Sequence, residues 1–168
     1  MNIRNELPTD TAAIEAVTVA AFLHAPHTDH TEQFVVNALR KAGALSVSLV
    51  ADDDGAVVGH VAVSPVSISS GAAGWYGLGP VSVEPGRQGR GVGSQLVRAA
   101  LAQLRALGAS GCVLLGDPAY YARFGFRAAP GLVLPGVPPE YFQALLLGDG
   151  AAMPEGTVAY HGAFAAKG

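Results

Sequence analysis

The chain has 168 residues, half of them hydrophobic and only 14% charged, with a formal net charge of −3. So apolar a chain is not disordered, and with Lys41 and Lys167 as its only lysines it has no basic run to track a nucleic-acid backbone. The 22 glycines and 11 prolines follow no short period, which excludes collagen-like and low-complexity architectures.

The opening MNIRNELPTD lacks the apolar core of a signal peptide, no apolar stretch is long enough to span a bilayer, and lone Cys112 has no internal disulfide partner. These features point to the cytoplasm, where thiols stay reduced. The length fits one domain, 1–168, with a sizeable core.

Residues 3–7 read as a first strand. Pro8-Thr9-Asp10 starts a helix that Thr9 or Asp10 can cap, with Ile14, Val17 and Ala21 on its apolar face. Residues 24–30, with Pro26 and three histidines, read as a loop. A second helix over 31–42 turns Phe34, Val35, Ala38 and Leu39 inward and ends at Gly43. A strand at 47–52, a turn at Asp53-Asp54-Gly55 and a β-rich segment at 57–68, interrupted at Pro65, form a hairpin. The strand candidate at 75–83 contains Gly77, Gly79 and Pro80. Proline lacks the N–H a ladder needs, so a bulge or splayed edge is expected there.

A glycine-rich loop, 85–93, opens the clearest helix, 92–107, whose inner side carries Leu96, Val97, Ala100, Leu101 and Leu104. A short apolar strand follows at 111–115. Strand, loop, helix and strand make a βαβ unit, so these two strands should run parallel. Asp117 can cap a short helix ended by Gly125, and residues 144–147 and 157–160 complete the strands. The expected fold is mixed α/β, with a largely antiparallel sheet, one parallel junction and flanking helices.

The loop reads Gln88-Gly89-Arg90-Gly91-Val92-Gly93-Ser94 where it enters the helix. Glycines let backbone N–H groups approach an anion, and the first turn of a helix offers unpaired N–H groups with partial positive charge. Arg87 and Arg90 add full charges. This is a diphosphate site. It has no Gly-Lys pair for a Walker A loop, and its glycine spacing is not that of a dinucleotide fingerprint. Gln88-x-x-Gly91-x-Gly93 resembles the Q/R-x-x-G-x-G/A signature of the GNAT acetyltransferases. About thirty residues on, Tyr121-x-x-x-Gly125-Phe126 resembles the family's Tyr-x-x-x-Gly-Phe element. Leu78-Gly79-Pro80-Val81-Ser82-Val83, Gly116-Asp117-Pro118, Gly59-His60 and Glu140-Tyr141-Phe142 resemble the YhbS-like bacterial subfamily.

The resemblance implies an acetyl-CoA-dependent N-acetyltransferase acting by direct attack in a ternary complex. It implies a GNAT fold whose sheet splays between the strand ending at Val83 and the strand at 111–115. Gln88, Gly89, Arg90, Gly91, Gly93 and Ser94 would hold the cofactor's pyrophosphate, and backbone groups of Val81 and Val83 its arm and carbonyl oxygen. Tyr121 would be the acid. A neutral tyrosine, pKa about 10, can donate to a departing thiolate of pKa about 8.5. The general base is left among His60, Glu32 on the acceptor side, and water, because the 75–83 strand has no carboxylate. His60 also reads as a buried strand histidine, and Glu32 as a carboxylate favoured by a helix dipole. His24, His27, His30 and Asp29 fit no standard zinc spacing and read as a solvated acceptor-side loop, so no metal is expected. Cys112 reads as a small buried hydrophobe. A non-catalytic CoA or acyl-CoA sensor is the alternative. The acceptor, a small-molecule or peptide amine, and the choice between monomer and homodimer are written in no motif.

Overall fold

The computed structural model describes residues 1–168. Its contacts divide the chain into two compact units. The first comprises residues 1–63, 79–103 and 162–168; the second comprises residues 64–78 and 104–161.

In the first unit, β1 (Asn2–Asn5) pairs antiparallel with β2 (Val47–Asp53), and β2 with the first half of β3 (Ala56–Ile68). The end of β4 (Trp75–Val83) lies on the other side of β3, where the Glu84 amide donates to the Val58 carbonyl at 2.9 Å. Asp54 and Gly55, both with positive φ, make the tight β2–β3 turn that the Asp-Asp-Gly sequence predicts. Helices α1 (Thr11–Phe22) and α2 (Glu32–Lys41) bury Ile14 and Val36 with Val50 and Ala62 of the strands. Asp10 takes the predicted capping place in a different way. Its carboxylate accepts from the Leu7 amide at 2.6 Å and is clamped by Arg4. Helix α3 (Val92–Ala106) approaches β3 closely at Gly59, where a Cβ would lie 3.0 Å from Leu96 Cδ1 and 3.1 Å from the Ser82 carbonyl. A side chain there would press on both elements, which glycine avoids.

The second unit is built on β5 (Gly111–Leu115), which pairs parallel with β4 and antiparallel with β8 (Phe142–Leu146). The short strand β6 (Arg127–Ala128) pairs with β8, and β9 (Gly156–Tyr160) pairs with the second half of β3 and with the two-residue β7 (Leu132–Val133). Ile68, Trp75, Val113, Leu132, Phe142, Ala144 and Val158 form its core. Helix α4 (Pro118–Tyr121) starts where Asp117 Oδ1 accepts from the Ala119 amide at 3.0 Å. Its last turn ends at Gly125 with φ +96°.

The expected fold holds, a mostly antiparallel mixed sheet with flanking helices; besides the expected parallel β4–β5 pair, the two-residue β7 runs parallel to β9. Two details differ from the sequence reading. Strand β3 runs through Pro65 without a break, because Pro65 sits where the strand changes partner. Val63 is the last residue paired to β2 and Val66 the first paired to β9, so no ladder bond needs the missing N–H. β6 and β7 are too short to carry a periodicity.

Candidate functional site

The β4–β5 ladder has three residue pairs, Trp75↔Gly111, Tyr76↔Cys112 and Gly77↔Val113. The pairing ends at Gly77, and Gly79–Pro80 is a cis peptide bond. Backbone groups along an antiparallel strand alternate between its two edges. Since Glu84 N–H faces β3, the N–H groups of Val81 and Val83 face the opposite edge, the one without a β5 partner. The Val83 carbonyl on that edge accepts from Gln88 Nε2 at 3.1 Å. Ser82, between the two valines, is buried and donates to Thr18 Oγ1 at 3.4 Å.

The loop after β4 begins with a 3₁₀ turn, Pro85–Arg87. Arg87 is turned back to Asp53 in the hairpin and is 3.6 Å from Glu84, so its charge is compensated within the chain. Arg90 is exposed and carries no such pair. Gly89 and Gly91 have φ of +76° and +84° with Arg90 between them, and nothing lies within 4 Å of a Cβ built on either glycine. The amides of Gly89, Arg90 and Gly91 make no backbone hydrogen bond. Three consecutive amides in alternating conformations, at the start of a 15-residue helix, form an anion-binding nest. Gly93 and Ser94 lie in the helix's first turn.

In the second unit, Tyr121 ends α4. Its ring packs edge-on against Tyr120 and Phe126, at centroid distances of 4.9 and 6.2 Å, and tilted against Phe124 at 6.0 Å. A Cβ on Gly116 would overlap the ring, so the glycine at the end of β5 is what lets Tyr121 lie there. Gly116 itself is pinned. Its N–H donates to the Tyr141 carbonyl at 3.0 Å, and its carbonyl accepts from buried Gln143 Nε2 at 3.0 Å. Burial pushes the Tyr121 phenol up to about 12, with Tyr120 adding to the rise. The hydroxyl is neutral at pH 7, and no group of the chain bonds it.

His60 is fully buried. Its Nε2 lies 2.8 Å from Ser48 Oγ, and its Nδ1 is unpartnered. Ser48 bonds Glu6, and Arg40 grips Glu6 with two hydrogen bonds of 2.8 and 2.9 Å. Burial lowers Glu6 acidity, but the bonds from Arg40 and Ser48 outweigh it and hold the carboxylate below its ordinary range. Burial drives the His60 pKa down to about 4. The Glu6 charge opposes the fall and Arg40 assists it. The His60–Glu6 approach of 3.9 Å is thus no salt bridge at neutral pH. Glu32 opens α2, where both its oxygens lie 2.7 Å from Thr28 Oγ1. His27 and His30 take positive φ of 56° and 57° beside it, and no three His, Cys, Asp or Glu side chains stand together as metal ligands. Cys112 is buried, and burial pushes its thiol well up.

His60 gives a stability prediction. Its folded pKa lies below the ordinary 6.5, so its contribution is complete above about pH 6.5 and is lost as the pH falls toward 4, about 3 kcal/mol in all. Glu6 loses its share only below the ordinary carboxylate value. Thermal melts should therefore show Tm of the wild type falling between about pH 6.5 and 4.5, and His60→Leu removing most of that slope. Parallel curves would mean that another group sets it.

Residues 44–128 match the acetyltransferase (GNAT) domain. The chain belongs to the GNAT acetyltransferase family. Over 166 residues it is 37% identical to the N-acetyltransferase YhbS of Escherichia coli K12, with 96% of each chain covered. Among solved structures it resembles a GNAT-family acetyltransferase from Brucella melitensis in complex with acetyl-CoA. That likeness has 53% identity, covers 97% of both chains and has a TM-score of 0.86. It also resembles E. coli YhbS in complex with CoA, with 38% identity, 99% and 93% covered and a TM-score of 0.89. Family membership bears out the expected acetyltransferase activity and thioester co-substrate. No helix is long and apolar enough to cross a membrane.

Three features escaped the sequence: the seat that Gly116 gives the Tyr121 ring, the bond from Gln143 to the Gly116 carbonyl, and the network of Glu6, Arg40 and Ser48 beside His60. Each acquires its place only through long-range pairing.

Proposed function

We propose that the whole chain, 1–168, acts as one cytoplasmic N-acetyltransferase domain, as monomer or homodimer. It moves the acetyl group of acetyl-CoA to a primary amine of a small molecule or peptide by direct attack. The observation that carries this is the trio of unpaired amides at Gly89, Arg90 and Gly91 before α3. They fit a diphosphate, with Arg90 adding charge and Gly93 and Ser94 extending the cradle into the helix. The structures of the Brucella protein with acetyl-CoA and of YhbS with CoA support the same ligand here.

Acetyl-CoA supplies an activated thioester. In this reading the edge N–H groups of Val81 and Val83 receive the pantetheine arm and donate to the carbonyl oxygen as charge builds on it. Gln88 holds the loop to the end of β4. Tyr121 donates its proton to the departing thiolate. A primary alkylamine of pKa roughly 10 must lose a proton before it attacks. His60 is sealed from solvent and Glu32 is engaged by Thr28, which favours water over either as the base.

The test is release of CoA thiol from acetyl-CoA in the presence of alkylamines, polyamines, amino acids and peptides, with the acetylated product identified by mass spectrometry. Amine-dependent release is expected. Tight CoA binding with no release for any amine would support the sensor alternative instead.

A further inference from the structure

Gln143 lies in β8, the strand between β5 and β6, and is 1% exposed. Its backbone is flanked on both sides, by Leu114 and by Ala128. Side chains alternate along a strand, so Gln143 faces away from Phe142 and Ala144, which belong to the apolar core of the second unit. It shares its face with Leu145, whose Cδ1 is 3.1 Å from a Cβ built on Gly125. The turn after α4 therefore packs on this face. A leucine or methionine would fill such a place. A primary amide loses its hydration there and recovers one bond, from Nε2 to the Gly116 carbonyl at 3.0 Å. A carbonyl only accepts, so this bond fixes the orientation of the amide and turns Oε1 away, where it is buried without a partner. A half-satisfied buried amide weakens a fold, so its use lies in the one bond it makes.

That bond reaches Tyr121 by two routes. The Gly116 N–H donates to the Tyr141 carbonyl at 3.0 Å, so Gly116 is held at both its amide and its carbonyl. Held in this way, its Cα lies against the Tyr121 ring, where a Cβ would come within 2.4 Å of Cε2 and 2.8 Å of Cδ2. The held carbonyl also fixes the peptide plane that leads into Asp117. The Asp117 side chain caps α4, and its carbonyl accepts from the Tyr121 amide at 3.0 Å. Ring and backbone of Tyr121 thus both rest on Gly116. All of these residues belong to the second unit.

We propose that Gln143 is the positioning residue of Tyr121: by holding the Gly116 carbonyl it fixes the seat of the ring and, through it, the place of the phenol hydroxyl. This role rests on the reading of Tyr121 as the acid and extends that reading to a side chain in another strand, which acts through Gly116.

Gln143→Met keeps the volume and removes the donor. The Gly116 carbonyl, at a half-buried position, is left to water, so Tm should hold or rise. With CoA affinity unchanged, kcat should fall roughly tenfold, the scale on which a small displacement of a reacting group acts. Three readouts separate placement from packing. In the wild type a nuclear Overhauser contact should join the Gly116 α-protons to the Tyr121 ring protons, and Gln143→Met should weaken it. In a Tyr121→Phe background, adding Gln143→Met should change kcat by less than about twofold, because no hydroxyl is left to misplace. The deficit of Gln143→Met should also narrow with a thioester of more acidic thiol. Gly116→Ala is a second route to the same seat. Gly116 has no positive φ, so alanine brings no backbone strain, yet its methyl must displace the ring. Its fall in kcat should likewise vanish in the Tyr121→Phe background. An unchanged kcat in Gln143→Met, an unchanged Overhauser contact, or a loss that persists in full without the hydroxyl overturns the assignment. A Tyr121→Phe enzyme at the wild-type rate strikes the acid reading instead, and the Overhauser contact then still decides whether Gln143 seats the ring.

Discussion

A Gly91→Val substitution is expected to abolish CoA binding while leaving the fold in place. Gly91 has φ +84°, a conformation a β-branched residue avoids, at a cost of roughly 1–3 kcal/mol. Nothing lies within 4 Å of a Cβ at this position, so valine meets no steric block, and a domain stable by about 5–15 kcal/mol survives the strain. The site does not survive it. Either the backbone relaxes and the amides of Gly89, Arg90 and Gly91 cease to converge, or the strained valine places its methyls beside them. Hydrogen bonds to a charged group are worth about 1.5–3 kcal/mol each, so losing two weakens Kd on the order of 100-fold or more. Calorimetric titration with CoA reads the effect, and circular dichroism with a thermal melt confirms folding. Undiminished affinity in a folded variant would remove the loop from the proposed site.

Much of this was legible because the signals are local. Leu96, Val97, Ala100, Leu101 and Leu104 follow a helical period, and all five are buried. The irregularity expected at Pro80 is matched by the cis Gly79–Pro80 bond, and the spaced glycines of the loop by positive φ at Gly89 and Gly91. The same reasoning misjudged Pro65, because whether a proline breaks a strand depends on which neighbour its missing N–H would have met. That is decided by where the pairing with β2 stops and that with β9 starts, two strands far apart in the chain. Arg87 was read as a charge for the cofactor and is claimed by Asp53 instead. His60 was read as either base or core residue. Its surroundings come from Glu6, Arg40 and Ser48, positions that no short window of sequence joins to it.

Tyr121→Phe is expected to lower kcat about 100-fold while leaving CoA affinity and Tm unchanged, the loss typical of one general acid. The substitution removes one oxygen. The ring's contacts with Tyr120, Phe124 and Phe126 and its seat on Gly116 involve carbon atoms only, and the hydroxyl bonds no group of the chain, so nothing internal is broken. With its pKa pushed up to about 12, the phenol is protonated throughout an assay from about pH 6 to 9. It contributes no falling limb in that range. The wild-type rate should rise with pH as the amine deprotonates, and the variant should trace a parallel line about two decades lower. The loss should fall on kcat rather than KM, since the bond strengthens as charge builds on sulfur. A more acidic leaving thiol needs less help, so replacing acetyl-CoA by a thioester of lower thiol pKa should narrow the gap between the two enzymes, which mere loss of packing would not do. If the variant turns over a true acceptor at the wild-type rate across this range, Tyr121 is a packing aromatic, and the proton reaches sulfur from water.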